Sequence, residues 1–167
     1  MLKEKIIRFD QLSPESRIWI YQSPRPFSEN DIQAIKTVLE NFISGWDSHG
    51  NKIFGSYNIF YNQFVVVGVD ESVANASGCS IDKLTRTIKE IEHLTGNELL
   101  NNGNIAYKKG DDIKIIPFNK VKQAVAEGEI EKETILFNNT INNLKELKEK
   151  WEVPASKAWT SKFFNNL

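Results

Sequence analysis

Phe64-Val65-Val66-Val67-Gly68-Val69 is the longest uninterrupted apolar stretch in the chain. It is far shorter than the ~20 residues a membrane-spanning helix needs. β-Branched residues dominate it and no polar residue alternates with them. It therefore reads as a strand buried on both faces. Arg17-Ile18-Trp19-Ile20-Tyr21 has the same character, and Ser-Pro-Arg-Pro-Phe at 23–27 breaks it. Ser28 stands where a helix N-cap belongs, with Asp31 three residues on as in a capping box. Ile32, Ile35, Leu39 and Phe42 follow at helical spacing, and Gly45 marks the stop. Ile53, Tyr57, Ile59 and Tyr61 share one side of the next segment, with Ser56 and Asn58 on the other. That alternation predicts a half-exposed strand, joined to 64–69 through a turn at Asn62-Gln63.

Beyond the hairpin, Ser77-Gly78-Cys79-Ser80 leads into a helix with the apolar stripe Ile81, Leu84, Ile88 and Ile91, closed by Gly96. Ser80 is the expected N-cap, with Asp82 in the first turn. Ile105 to Tyr107 and Ile113 to Ile116 flank a Lys-Lys-Gly-Asp-Asp tip, a further hairpin. Asn119 is placed to cap a shorter helix ending at Gly128. A strand over Thr134 to Phe137 and an amphipathic helix carrying Ile141, Leu144, Leu147 and Trp151 complete the pattern. Residues 1–104 thus run strand–helix–strand–strand–helix–strand, the order of the ferredoxin-like split βαβ motif. In that arrangement the first and third strands are central, matching the two segments apolar on both faces. The expected class is α+β, with 105–167 as a C-terminal hairpin–helix–strand–helix appendage packed with the first part as one unit.

The chain has 167 residues, about one domain's worth, and 40% of them are hydrophobic, enough for a packed core. Lys and Arg number 21 against 22 Asp and Glu, a net charge of −1. That balance argues against a dedicated nucleic-acid binder and against polybasic membrane docking. Cys79 is the single cysteine, so no intrachain disulfide forms and a bridge-stapled scaffold is excluded. The first residues hold no apolar run of signal-peptide length, and a cytoplasmic location is expected.

Two loops carry the residues best suited to chemistry. One is Trp46-Asp47-Ser48-His49-Gly50. The other runs from Asp70-Glu71-Ser72 through Ser77-Gly78-Cys79-Ser80-Ile81-Asp82. A cysteine at a helix N-terminus meets the positive end of the helix dipole, which favours its thiolate. His49 as base and Asp70 as orienting carboxylate would complete a Cys-dependent enzyme for thiol transfer or acyl hydrolysis. Ser77, Gly78, Ser80 and Asp82 would then line an anion or ligand site at the same helix end. The bland alternative makes Cys79 an inert small hydrophobe and the serines ordinary caps. With two histidines and one cysteine at no ligand spacing, no metal site is expected, and no cofactor motif is present.

Gly45 to Ile53 superficially resembles a phosphate-binding Walker A loop. Asn51 intervenes between Gly50 and Lys52, Ile53 replaces the magnesium-binding hydroxyl, and a helix precedes the loop where a strand is required. ATPase activity is not expected. Near the C-terminus, Trp151 and Trp159 flank Val153-Pro154 and precede Phe163-Phe164. Such aromatics either anchor a partner or seal the domain's own core.

Arg17 to Gln22, Val69 to Ser72, Ala76 to Asp82, Phe137-Asn138-Asn139 and Lys150 to Ala155 together resemble a small, uncharacterised bacterial family. Its members sometimes carry the label "ABC transporter ATPase". This chain lacks both the phosphate loop and a Leu-Ser-Gly-Gly-Gln signature, so the resemblance implies no activity. Tyr107, the Gly110 tip, Pro117-Phe118, Gly128-Glu129-Ile130 and Thr134 to Phe137 resemble the second type of GYF domain, a peptide-binding module. The tryptophan usual near that module's start is missing, and Phe137 stands where tryptophan is frequent. The leading expectation is a non-catalytic module that binds a protein or peptide through a sheet edge, the 105–137 region and the C-terminal aromatics.

Overall fold

The computed structural model describes residues 6–72 and 74–165. It is an α+β protein with several small sheets. Its elements are β1 (Arg17–Gln22), α1 (Glu29–Ser44), β2 (Asp47–Ser48), β3 (Asn51–Lys52), β4 (Phe54–Phe60), β5 (Phe64–Asp70) and α2 (Gly78–Thr95). They continue with β6 (Asn104–Lys109), β7 (Asp112–Pro117), α3 (Val121–Ala126), β8 (Ile135–Phe137), α4 (Leu144–Lys150) and β9 (Glu152–Pro154). Two compact units divide the chain. The first comprises the residues up to Leu100 together with Asn142–Lys145. The second comprises Asn101–Ile141 and the chain from Glu146 on.

In the first unit a three-stranded antiparallel sheet has the order β1-β5-β4. The Phe64–Val69 stretch is its centre, and burial on both faces follows from that position. Val65, Val67 and Val69 face the core made with Ile35, Leu39 and Ile43 of α1 and Leu84, Ile88 and Ile91 of α2. Phe9 and Leu12 approach the other face at Gly68. A Cβ there would lie 2.7 Å from Leu12 Cδ1 and 3.2 Å from Phe9 Cε2, so this close approach needs a glycine.

Helix α1 starts as its sequence predicts. The Ser28 hydroxyl accepts from the Asp31 amide at 3.0 Å, and the Asp31 carboxylate accepts from the Ser28 amide at 3.0 Å. This is a complete capping box, satisfying two otherwise orphaned donors. Gly45 and Gly96 are the C-caps of α1 and α2. The hairpin turn departs from expectation. Phe60 pairs with Phe64, so Tyr61 lies in the turn rather than the strand. Tyr61 and Asn62 both adopt positive φ, at 54° and 51°. The Asn62 carbonyl accepts from the Phe27 amide and the Gln63 carbonyl from the Ser23 amide, at 2.7 and 2.8 Å. Those bonds to the β1–α1 connection hold the strained turn.

The four-stranded ferredoxin-like sheet is not formed among the described residues. The third strand is central as expected, but β1 is an outer strand. Beside β1 lies the segment 142–143, through the Arg17–Asn143 bridge and the Ile18 amide donating to the Asn142 carbonyl at 3.0 Å. Ile105 to Tyr107 pairs with β7 in the expected hairpin, and Tyr107 also pairs with Leu136 of β8.

The second unit is built on a four-stranded sheet of order β7-β6-β8-β9. Its core holds Tyr107, Val121, Val125, Ile130, Leu136, Ala155 and Phe164. The β6–β7 hairpin turns at Gly110, as its tip predicts. Asn119 is not a cap: it lies inside a 3-10 turn, Phe118–Lys120, and α3 begins after it without a side-chain cap. The last helix is shorter than its apolar spacing implies, because Ile141 precedes α4 and Trp151 follows it. Val153 then pairs with Leu136, placing β9 in the sheet.

Candidate functional site

The 46–50 loop is held by its own architecture. Trp46 is 2% exposed and packs on Phe42, with ring centroids 4.8 Å apart. Its indole N–H donates to the Ser80 carbonyl at 3.0 Å. A Cβ at position 55 would stand 3.1 Å from the Trp46 ring, so Gly55 gives the indole its place against β4. Asp47 accepts from the Gly50 amide and from Lys83 Nζ of α2, both at 3.0 Å. The Lys83 ammonium, and after it the Gly50 amide, hold the Asp47 carboxyl below the usual carboxylate range. His49 occupies the exposed turn between β2 and β3 with φ 51°. This tryptophan-to-glycine loop is a clamp on the start of α2.

Cys79 is exposed in the first turn of α2. The N-cap is Ser77, three residues earlier than expected: its hydroxyl accepts from the Ser80 amide at 3.3 Å. Ser80 is buried, and its hydroxyl donates to the Ser77 carbonyl at 2.8 Å. Because the helix starts at Gly78, Asp82 falls in the second turn and no acidic residue occupies the first. Gly78 keeps negative φ, and a Cβ there would meet open space. Asp70 closes a turn by accepting from the Ser72 amide at 3.0 Å, and Ser72 lowers its pKa. Among the described residues no hydrogen bond joins Cys79, His49 and Asp70. Asp70 ends β5, Cys79 lies in the first turn of α2 and His49 sits in the β2–β3 turn, each explained by local structure.

Metal chemistry has no donor set among the described residues, which hold no group of three His, Cys, Asp or Glu suited to an ion. Nor is any described helix long and apolar enough to cross a membrane.

The two C-terminal tryptophans part company. Trp151 is 2% exposed, lies 4.9 Å from the Phe137 ring, and donates to Asn139 Oδ1 at 2.9 Å. Expected as a partner contact, it is buried instead against Phe137 and Asn139 of its own unit. Trp159 is 42% exposed. It opens a 3-10 turn, Trp159–Phe163, that packs against α3. Its ring stacks on Phe118 with centroids 4.9 Å apart and planes 19° from parallel. Phe163 meets it edge-on at 5.9 Å. Phe118 is 58% exposed. Aromatic pairs favour offset-stacked or edge-on geometry; here two large rings, one from each of two 3-10 turns, stack while about half of each stays open to solvent. Sequence reasoning singled out Trp159 but not its pairing with Phe118. The available signal was Phe118 itself, an aromatic residue between Pro117 and Asn119-Lys120 in a polar turn.

No protein-family model, curated protein or solved structure matches the chain.

Proposed function

We propose that the chain is a non-catalytic protein- or peptide-binding module whose docking surface is the Phe118–Trp159 stack of the second unit. The carrying observation is that stack: two aromatic rings, 58% and 42% exposed, held 4.9 Å apart. Exposed, preorganised aromatics bury large area on binding at small entropic cost, which makes them common binding anchors. The resemblance of 105–137 to the second type of GYF domain, a peptide-binding module, supports the same reading. A cytoplasmic setting belongs to the same proposal, as does a ferredoxin-like relationship of the first unit that extends to three strands, in the order β1-β5-β4, and lacks the fourth.

Panning a random peptide display library on the full chain tests the proposal, with F118S/W159S as the counter-target. Peptides retained by the wild type and lost on the variant are expected. Retention that ignores both substitutions, or no retention, would overturn it.

A further inference from the structure

We infer that the segment docking on this surface is acidic: a linear peptide carrying Asp or Glu beside an apolar or proline residue. The inference rests on the peptide-binding reading above and names the partner's chemistry.

Charge segregation carries it. Acidic and basic residues are nearly equal over the chain, at 22 and 21. Yet residues 114–126, which hold Phe118, and residues 153–165, which hold Trp159, contain no Asp or Glu. The same segments contain Lys114, Lys120, Lys122, Lys157 and Lys162. Lys120 lies two residues from Phe118 and Lys157 two residues before Trp159. Lys162 stands over Phe163 with its ammonium 5.3 Å from the ring centroid. Lys122 belongs to α3, which packs against the Trp159 turn. Lys120, Lys122, Lys157 and Lys162 are exposed, and none forms an ion pair among the described residues. Two lysines of β6 are matched: Lys109 with Glu129 at 3.2 Å, and Lys108 with Glu152. An aromatic centre whose two carrying segments hold exposed lysines and no carboxylate complements an apolar segment flanked by carboxylates.

A single-stranded nucleic acid is the less favoured occupant. Base stacking along a strand needs successive open ring faces. Trp159 has Phe118 against it on one side and Phe163 edge-on.

The test is the composition of the peptides recovered on the full chain, followed by affinity measurements on the best of them. Three results are expected. Trp159-dependent peptides are enriched in Asp and Glu over the input library. Their affinity drops about tenfold between low and moderately high salt, as screening weakens the lysine contacts. K120Q/K157Q/K162Q, checked for an unchanged melting curve, binds about tenfold more weakly. Trp159-dependent peptides without acidic enrichment would overturn the charge inference and leave the docking surface standing. Recovery of no Trp159-dependent peptide would overturn both. Tighter binding of a thymidine 12-mer, or of phosphatidylserine vesicles, than of any acidic peptide would also overturn the inference.

Discussion

The indole N–H of Trp46 donates to the carbonyl of Ser80 across 34 residues of chain, at 3.0 Å and out of contact with solvent. With the Asp47–Lys83 ion pair it ties the α1–β4 connection to the first turns of α2. Sequence reading placed candidate chemistry there; the bond shows what the residues hold together. Trp46→Phe removes the donor and part of the packed ring. A loss of about 2–4 kcal/mol is expected from the hydrogen bond and cavity together, read from denaturant midpoints.

Gly68→Ala forces a methyl group toward Leu12 Cδ1 on the far side of the central strand. Overpacking of this kind costs about 1–3 kcal/mol. Combined with Leu12→Ala, the cost of the alanine at 68 should shrink. A double-mutant cycle giving strict additivity would contradict the placement of Leu12 against β5.

The Asp31 carboxyl is held below its usual range, chiefly by the Ser28 amide, with the Ser28 hydroxyl and Asn97 assisting. The unfolded chain therefore takes up this proton at a higher pH than the folded chain. The contribution is complete above the ordinary carboxylate range near pH ~4 and is lost as pH falls through the folded value. Asp31→Asn should flatten the acid side of the stability profile, measured by urea unfolding between neutral and acidic pH. An unchanged acid limb would contradict the capping box.

Cys79 is exposed and its thiol is free of any disulfide. Iodoacetamide should label it in the folded chain. Cys79→Ser should leave both the melting temperature and peptide binding unchanged. Loss of a measurable activity in this variant would restore the Cys-dependent enzyme in place of the binding module.

Much of the first unit was legible because its signals are local. The Ser28 box, the helix-ending glycines and the apolar runs each act within a few residues. A fourth strand for the first sheet was not legible, because apolar content marks strands but not which edge each one joins. The tight Lys109–Asp112 tip pairs β6 with β7 at little loop-closure cost. β9 escaped notice because three residues ending in Pro154 make no period. The site was half legible. Trp151 and Trp159 read alike in sequence, yet Trp151 lies between α4 and β9, buried against the Phe137 ring. Trp159 falls on a turn with Ser161 and Lys162 after it. Its stacking partner lies 41 residues away, and linear patterns do not encode that pairing.

Fluorine NMR of the chain labelled with 5-fluorotryptophan tests the docking surface most directly. Trp19, Trp46, Trp151 and Trp159 give four signals, and Trp159→Phe identifies the one that matters. On titration with a library-selected peptide, the Trp159 signal should shift to saturation while those of buried Trp46 and Trp151 stay in place. A bound peptide that leaves the Trp159 signal where it was would contradict the account.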